Sequence, residues 1–178
     1  MDTGVRRVVV GVSGSPGSLH ALRRAVVEAR RCEALLCSVL TWTPQGGELT
    51  AGRARNDHRS SSWENDPVRR LRAAWDDALG GVPFDLDVCL LAMRGPAGPH
   101  LVRVADREHD LLVVGAGHAG PLRRLVAGSV ARYCVLHARS CVLVVPPSAL
   151  DRELRQHRLA TRRLVRDLSR QRVAPPPR

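Results

Sequence analysis

The chain has 178 residues, 44% of them hydrophobic, and a formal net charge of +11 at pH 7. That length suits one domain with a real core and is short for two. No apolar segment approaches the length of a membrane span, and the start MDTGVRR leads into only a brief apolar run, so neither a span nor a signal peptide is expected.

Val5 to Val12 contains Val8-Val9-Val10 and reads as a buried strand. Ser13-Gly14-Ser15-Pro16 then turns the chain, with Ser15 placed to cap a helix and Pro16 suited to its first position. Leu19, Leu22, Val26 and Ala29 follow at spacings of three and four, which predicts an amphipathic helix over Pro16 to Arg31. Leu35 to Thr41 is a second strand. From Thr43 to Trp63 the composition turns polar and glycine-rich, with Arg53, Arg55, Arg59 and three consecutive serines, which predicts a long loop. Asp66-Pro67 starts the next helix, with Val68, Leu71, Trp75 and Leu79 on one face, and Gly80-Gly81 stops it. Leu86 to Ala92 is a third strand, and Ala97 to Arg107 a helix with Leu101, Val104 and Ala105 inward.

The fourth strand, Leu111 to Val114, opens into Gly115-Ala116-Gly117-His118-Ala119-Gly120, where glycines permit backbone shapes closed to other residues. Gly128-Ser129 precedes a helix from Val130 to His137, and a strand from Val142 to Val145 follows. Strictly alternating strands and helices imply an open, doubly wound α/β fold with a five-stranded parallel sheet covered on both faces. Ligands of such folds lie outside the carboxyl ends of the strands. A strand, a glycine turn and a helix N-terminus together present backbone N–H groups suited to phosphate. The pocket is expected where the turns after the first and fourth strands face each other.

The five cysteines, Cys32, Cys37, Cys89, Cys134 and Cys141, show no CxxC spacing. Cys37, Cys89 and Cys141 sit in apolar runs, where a cysteine is usually a small core residue, and reduced thiols in a cytoplasm are expected. Whether geometry permits a Cys134–Cys141 bond is not decided by sequence.

Other motifs are weaker. Gly115-x-Gly117-x-x-Gly120 spells a dinucleotide fingerprint, but Ala131 to Ala149 supplies no acid to hold a ribose, and Pro121 follows directly. Gly11-Val12-Ser13-Gly14-Ser15 resembles a nucleophile elbow without its closing glycine, and Ser13 is more simply a turn residue. Glu108-His109-Asp110 are adjacent and point different ways, so a solvated loop is expected there rather than a metal trio. Trp42, Trp63 and Trp75 are too scattered for a base-stacking platform. No catalytic group and no metal site is expected, and the chain reads as a binding module rather than an enzyme.

VVVGVSGSPGS at Val8 to Ser18, with DLLVVGAG and GSVARYCVLHARSCVLVVP further on, resembles the universal stress proteins over roughly Val5 to Pro146. The resemblance implies a flavodoxin-like, Rossmann-like sheet in order 3-2-1-4-5, a homodimer and a role in stress response. It also implies ATP, with magnesium, as a ligand of some members. Those members share Gly, two residues, Gly, nine residues, then Gly-Ser or Gly-Thr. Gly115 and Gly128-Ser129 match its ends, whereas the second glycine falls on His118 and a glycine stands one position early at Gly117. Ser13 stands where the ATP-binding members carry an aspartate. Ser13 accepts a hydrogen bond but brings no charge and makes no bidentate contact. His118 brings a Cβ into the phosphate loop and, when protonated, a cation beside the phosphates; these effects oppose each other. The implied nucleotide site comprises Val12, Ser13, Thr41, Gly115, Gly117, His118, Gly128, Ser129 and Val130. In it Ser13 faces the ribose, Thr41 the base through its backbone, and Gly115, Gly117, Gly128 and Ser129 the phosphates. Arg123 and Arg124 read either as phosphate partners or as a solvated pair.

All 28 basic residues are arginine; from Asp151 onward nine arginines face three acids (+6), against nineteen and fourteen (+5) in the rest. Leu150, Leu154, His157, Thr161, Leu164 and Leu168 recur at four and three, a partial heptad stripe on one basic C-terminal helix from about Ala149 to Gln171. The division expected is an α/β domain over residues 1–147 and a helical tail over 148–178, ending in a disordered Val173-to-Arg178 stretch. The tail either packs on its own domain or a dimer mate, or meets an acidic protein or nucleic acid by charge. In the alternative reading the pocket is vestigial, and the protein acts through dimerisation and this tail.

Overall fold

A computed structural model describes residues 4–43, 66–117 and 130–149 of the chain. The chain divides into two units, Met1–Pro146 and Pro147–Arg178, and the elements below belong to the first. The expected 43–63 loop beyond Thr43 and the tail from Leu150 lie outside the described residues, as do His118, Gly128 and Ser129.

The described elements alternate as the hydrophobic pattern requires: β1 (Arg7–Val12), α1 (Pro16–Cys32), β2 (Leu35–Trp42), α2 (Pro67–Leu79), β3 (Val88–Arg94), α3 (Ala97–Val104), β4 (Asp110–Gly115), α4 (Val130–His137) and β5 (Cys141–Val145). All strand pairs are parallel, and the sheet order is β3-β2-β1-β4-β5. The doubly wound fold and its strand order are therefore as expected. β1 sits at the centre, with Val9 opposite Cys37 of β2 on one side and Leu112 of β4 on the other.

Side chains alternate across the sheet and build two cores. Val8, Val10, Leu36, Leu40 and Val113 pack on one face with Leu22 and Val26 of α1 and Leu71 and Trp75 of α2. Val9, Val39, Leu112 and Val114 pack on the other with Leu101 of α3 and Ala131 and Cys134 of α4. Each fully buried side chain of this size contributes about 1.5–3 kcal/mol relative to exposure. Trp75 carries a polar handle into its core, and its indole N–H donates to the buried Ser38 hydroxyl at 2.9 Å. Gly11 lets α3 approach β1, for a Cβ there would stand 2.8 Å from Leu101 Cδ1.

Helix ends follow the sequence signals. The Ser15 hydroxyl accepts from Ser18 N–H at 3.4 Å with Pro16 in the first turn of α1. The Asp66 carboxylate accepts from Val68 and Arg69 N–H at 3.0 and 3.4 Å. Gly80, with φ +77°, closes α2.

Several expectations are corrected. The buried stripe of α2 is Leu71, Ala74, Trp75 and Ala78, whereas Val68 and Leu79 are 44% and 40% exposed. The α3 helix stops at Val104 rather than Arg107. Groups outside the helix take the polar atoms at its end: the Arg7 guanidinium of β1 donates to Val104 O at 2.7 Å, and the Arg107 N–H, instead of continuing the helix, donates to the Asp110 carboxylate at 3.0 Å. β3 begins at Val88 rather than Leu86, because the β2 ladder engages only at Asp87, whose carbonyl accepts from Leu36 N–H at 2.9 Å. Cys141 is exposed rather than core, since it opens the edge strand β5. Asp110 is not in a solvated loop. It is buried, and the Arg7 guanidinium donates to its two carboxylate oxygens at 2.9 and 2.6 Å. That hydrogen bonding raises the Arg7 pKa further above its ordinary range.

Candidate functional site

Parallel pairing puts the carboxyl ends of all five strands on one rim, and the strand order puts those of β1 and β4 side by side at its centre. The two turns that leave them are in contact. Gly115, the last residue of β4, lies against the first turn of α1: a Cβ there would stand 2.6 Å from Gly17 O and 2.9 Å from Gly17 C. No side chain fits in that gap, so glycine at 115 is what allows β4 and the α1 N-terminus to close together. Beyond it, Gly117 has φ +77°, a backbone shape that favours glycine, and Gly14 after β1 has φ +74°.

The β1 turn is braced by three serines. Ser13 N–H donates to Ser18 Oγ at 3.2 Å, and Ser18 Oγ donates in turn to Ser15 O at 2.9 Å. The Ser13 and Ser15 hydroxyls lie 3.0 Å apart, one donating to the other, and the Ser13 side chain is exposed at the rim. The Ser13 hydroxyl keeps capacity for a further hydrogen bond, since a hydroxyl offers one donor and two acceptor positions.

Val12 ends β1 opposite Leu40, and Thr41 follows one position later on β2, opposite Met93. Val12, Ser13, Thr41, Gly115 and Gly117 thus share one rim. Val130 is the first described residue of α4 and is exposed. Three further residues carry rim geometry without having stood out as site residues in the sequence. Gly17 and Ser18 hold the β1 turn and meet Gly115. Gly95, φ +127°, donates its N–H to Trp42 O at 2.9 Å and ties the β3 turn to the end of β2. Contacts of Gly17 and Gly95 across the rim leave no trace in local spacing, which is why the pattern did not mark them.

Chemically the rim offers backbone donors, hydroxyls and the exposed Arg94, and it fits a ligand bearing anionic oxygen. It does not fit a protein-held magnesium ion. Among the described residues of the first unit, the turns after the five strands (13–15, 43, 95–96, 116–117 and 146) contain no Asp or Glu. Asp66, at the start of α2, is engaged in capping and lies 3.8 Å from Arg69 Nε. No group of three or more His, Cys, Asp or Glu that could hold a metal ion occurs among the described residues.

The fold defines a doubly wound α/β domain whose central strands end side by side on one rim. Comparison with known proteins carries the class further. The model of the universal stress protein family matches residues 4–146, and the chain belongs to that family. A universal stress protein from Mycolicibacterium smegmatis (strain ATCC 700084 / mc(2)155) is 30% identical over 145 residues, covering 79% of this chain and 97% of the relative. A universal stress protein crystallised in complex with cAMP is 28% identical, with a TM-score of 0.58 over 82% of this chain and 99% of that one. The universal stress protein UspA from Lactobacillus plantarum, 19% identical with a TM-score of 0.53 over 80% of this chain and 98% of its own, shares the fold.

Proposed function

We propose that the protein is a stress-response binding module that takes an adenine nucleotide between the turns after β1 and β4. The observation that carries this reading is the closure of Gly115 onto Gly17, which brings the turns after β1 and β4 together at one rim. The similar protein crystallised with cAMP supports adenine as the base. Val12, Ser13 and Thr41 line the ribose and base side, and Gly115 and Gly117 the phosphate side. His118, Gly128, Ser129 and Val130 complete the phosphate loop by the family pattern. ATP is one candidate; its magnesium would be held by phosphates and water, not by a carboxylate of the described rim. The module binds without turning its ligand over, since the described rim lends no general base to activate a water against a phosphate.

The working unit in this reading is a homodimer of the 1–147 domain in the cytoplasm, with residues 148–178 as a basic tail. No described helix is long and apolar enough to cross a membrane. Val135, Leu136 and Val144, exposed on α4 and the edge strand β5, supply apolar surface for the dimer. The +6 charge of the last 28 residues favours a second role, contact with an acidic protein or nucleic acid.

Calorimetry of the full chain with ATP, AMP and cAMP tests the nucleotide reading. Saturable heat with at least one of them is expected, and neither heat nor a thermal shift at millimolar concentration removes it. In that case the pocket is vestigial, and capture of a partner by the full chain but not by a form ending at Pro147 supports the tail.

A further inference from the structure

We propose that Cys37 and Cys89 form a peroxide-sensitive dithiol that closes to a disulfide between β2 and β3. The two residues are register partners on adjacent parallel strands. Such strands lie about 4.7–4.9 Å apart, inside the range of about 4.4–6.8 Å that a disulfide requires between Cα atoms. Both side chains point to the same face of the sheet. Cys37 belongs to the core with Val39 and Leu101, and Cys89 packs against that core beside Leu91 and Met93. All five cysteines are free. Cys37 and Cys89 are register partners, whereas Cys141 of β5 stands opposite Leu111.

The two members differ in a way that assigns their order of reaction. Cys89 is half-buried on β3, the edge strand, and an oxidant in solution reaches it there. Cys37 is 4% exposed, and burial pushes its thiol up to about 11, so it stays protonated and inert on its own. In the first step the Cys89 thiolate attacks one oxygen of hydrogen peroxide. An S–O bond forms, the O–O bond breaks, and hydroxide leaves to become water with the proton that Cys89 released. Cys89 is now a sulfenic acid, oxidised by two electrons. In the second step Cys37 Sγ attacks Cys89 Sγ. The S–S bond forms, the S–O bond breaks, and the departing hydroxide takes the Cys37 proton as water. The sum is two thiols and one hydrogen peroxide to one disulfide and two waters. The bond fastens the edge strand β3 to the sheet interior, and a small thiol reductant reverses it by exchange.

The experiment exposes the full chain to hydrogen peroxide, alkylates remaining thiols under denaturing conditions and maps the peptides by mass spectrometry. Loss of two alkylatable thiols is expected, with a linked pair of peptides carrying Cys37 and Cys89 that dithiothreitol separates. In the Cys37→Ser variant the link disappears and Cys89 is trapped by dimedone as a sulfenic acid. Full alkylation of Cys37 and Cys89 after a treatment that oxidises the exposed Cys141 overturns the proposal, as does a link joining any other pair. The wild-type map decides the matter even where the variant does not fold.

Discussion

The backbone of Gly115 rests on the carbonyl of Gly17, so closely that a single methyl group at 115 would meet its oxygen at 2.6 Å. This contact joins the last residue of β4 to the first turn of α1, two segments almost a hundred residues apart, and it sets how closely the two turns approach. A Gly115→Ala substitution must push backbone against backbone, which no side-chain rotation relieves. Overpacking of this kind costs about 1–3 kcal/mol, and urea unfolding should show that loss. Nucleotide affinity should fall by roughly tenfold or more, equivalent to about 1.4 kcal/mol, because the two turns are driven apart. Unchanged stability and affinity would remove Gly115 from the site.

Arg7 and Asp110 close the opposite end of the same two strands. The guanidinium meets both carboxylate oxygens, and the Asp110 side chain is only 1% exposed. Removing the cation by Arg7→Met leaves a buried carboxylate without its charge partner, at a cost of about 3–5 kcal/mol. The double variant Arg7→Met, Asp110→Leu should recover much of that loss, because the buried charge goes with its partner. A double-mutant cycle in urea measures the difference. Additive losses would show that the pair is not coupled.

These two contacts also mark the limit of what the chain displays in one dimension. The strand–helix alternation and the Ser15–Pro16 start of α1 are local patterns, and each appears in the structure where its period and caps place it. Arg7 and Asp110 are 103 positions apart, and no local spacing connects a charge at one strand's start with a charge at another's. The Glu108-His109-Asp110 run therefore looked like loop, although its last member is buried. Val68 and Leu79 keep helical spacing while lying one turn beyond the surface that α1 and the sheet cover, so spacing alone does not separate them from the buried stripe of α2. Of the proposed site, Val12, Ser13, Thr41, Gly115 and Gly117 can be placed on one rim from strand ends alone. Gly17 and Ser18 act through contacts that form only after the helix folds back.

The Trp75–Ser38 hydrogen bond predicts a stability loss that burial alone would not. Ser38→Ala removes one oxygen from the core and leaves the buried indole N–H without its acceptor. An unsatisfied buried donor costs about 1–3 kcal/mol. The Ser38→Ala, Trp75→Phe double variant should lose less than the sum of the single changes. Strict additivity in chemical unfolding would contradict the role assigned to this bond.

Burial raises the thiols of Cys37 and Cys134 from the ordinary 9.0 to about 11. Between those values the unfolded chain ionises its thiols while the folded chain keeps them protonated, so the unfolded state binds fewer protons. Stability should therefore be insensitive to these groups below about pH 8 and fall as pH rises from 9 towards 11. Unfolding midpoints taken across this interval should decline less steeply in Cys37→Ala and Cys134→Ala than in the parent chain. Equal slopes in all three would mean that neither thiol is desolvated in the fold.

Ser13 provides the sharpest test of the proposed nucleotide site. Its hydroxyl is exposed beside Ser15 and carries no charge, and the described turns after the strands contain no carboxylate to hold a metal. ATP should then bind the parent chain with the same dissociation constant in magnesium and in EDTA, to within about twofold, a difference of about 0.4 kcal/mol. Ser13→Asp places a hard oxygen ligand and a negative charge at the same point. In EDTA that charge opposes the phosphates, and affinity should fall by roughly tenfold or more, about 1.4 kcal/mol. Magnesium should restore it, because the cation then bridges carboxylate and phosphate. Calorimetry of both proteins in both buffers separates the outcomes: a parent chain that needs magnesium contradicts the uncharged rim, whereas a Ser13→Asp chain indifferent to the metal places Ser13 wholly on the ribose side, beyond reach of a cation held by the phosphates.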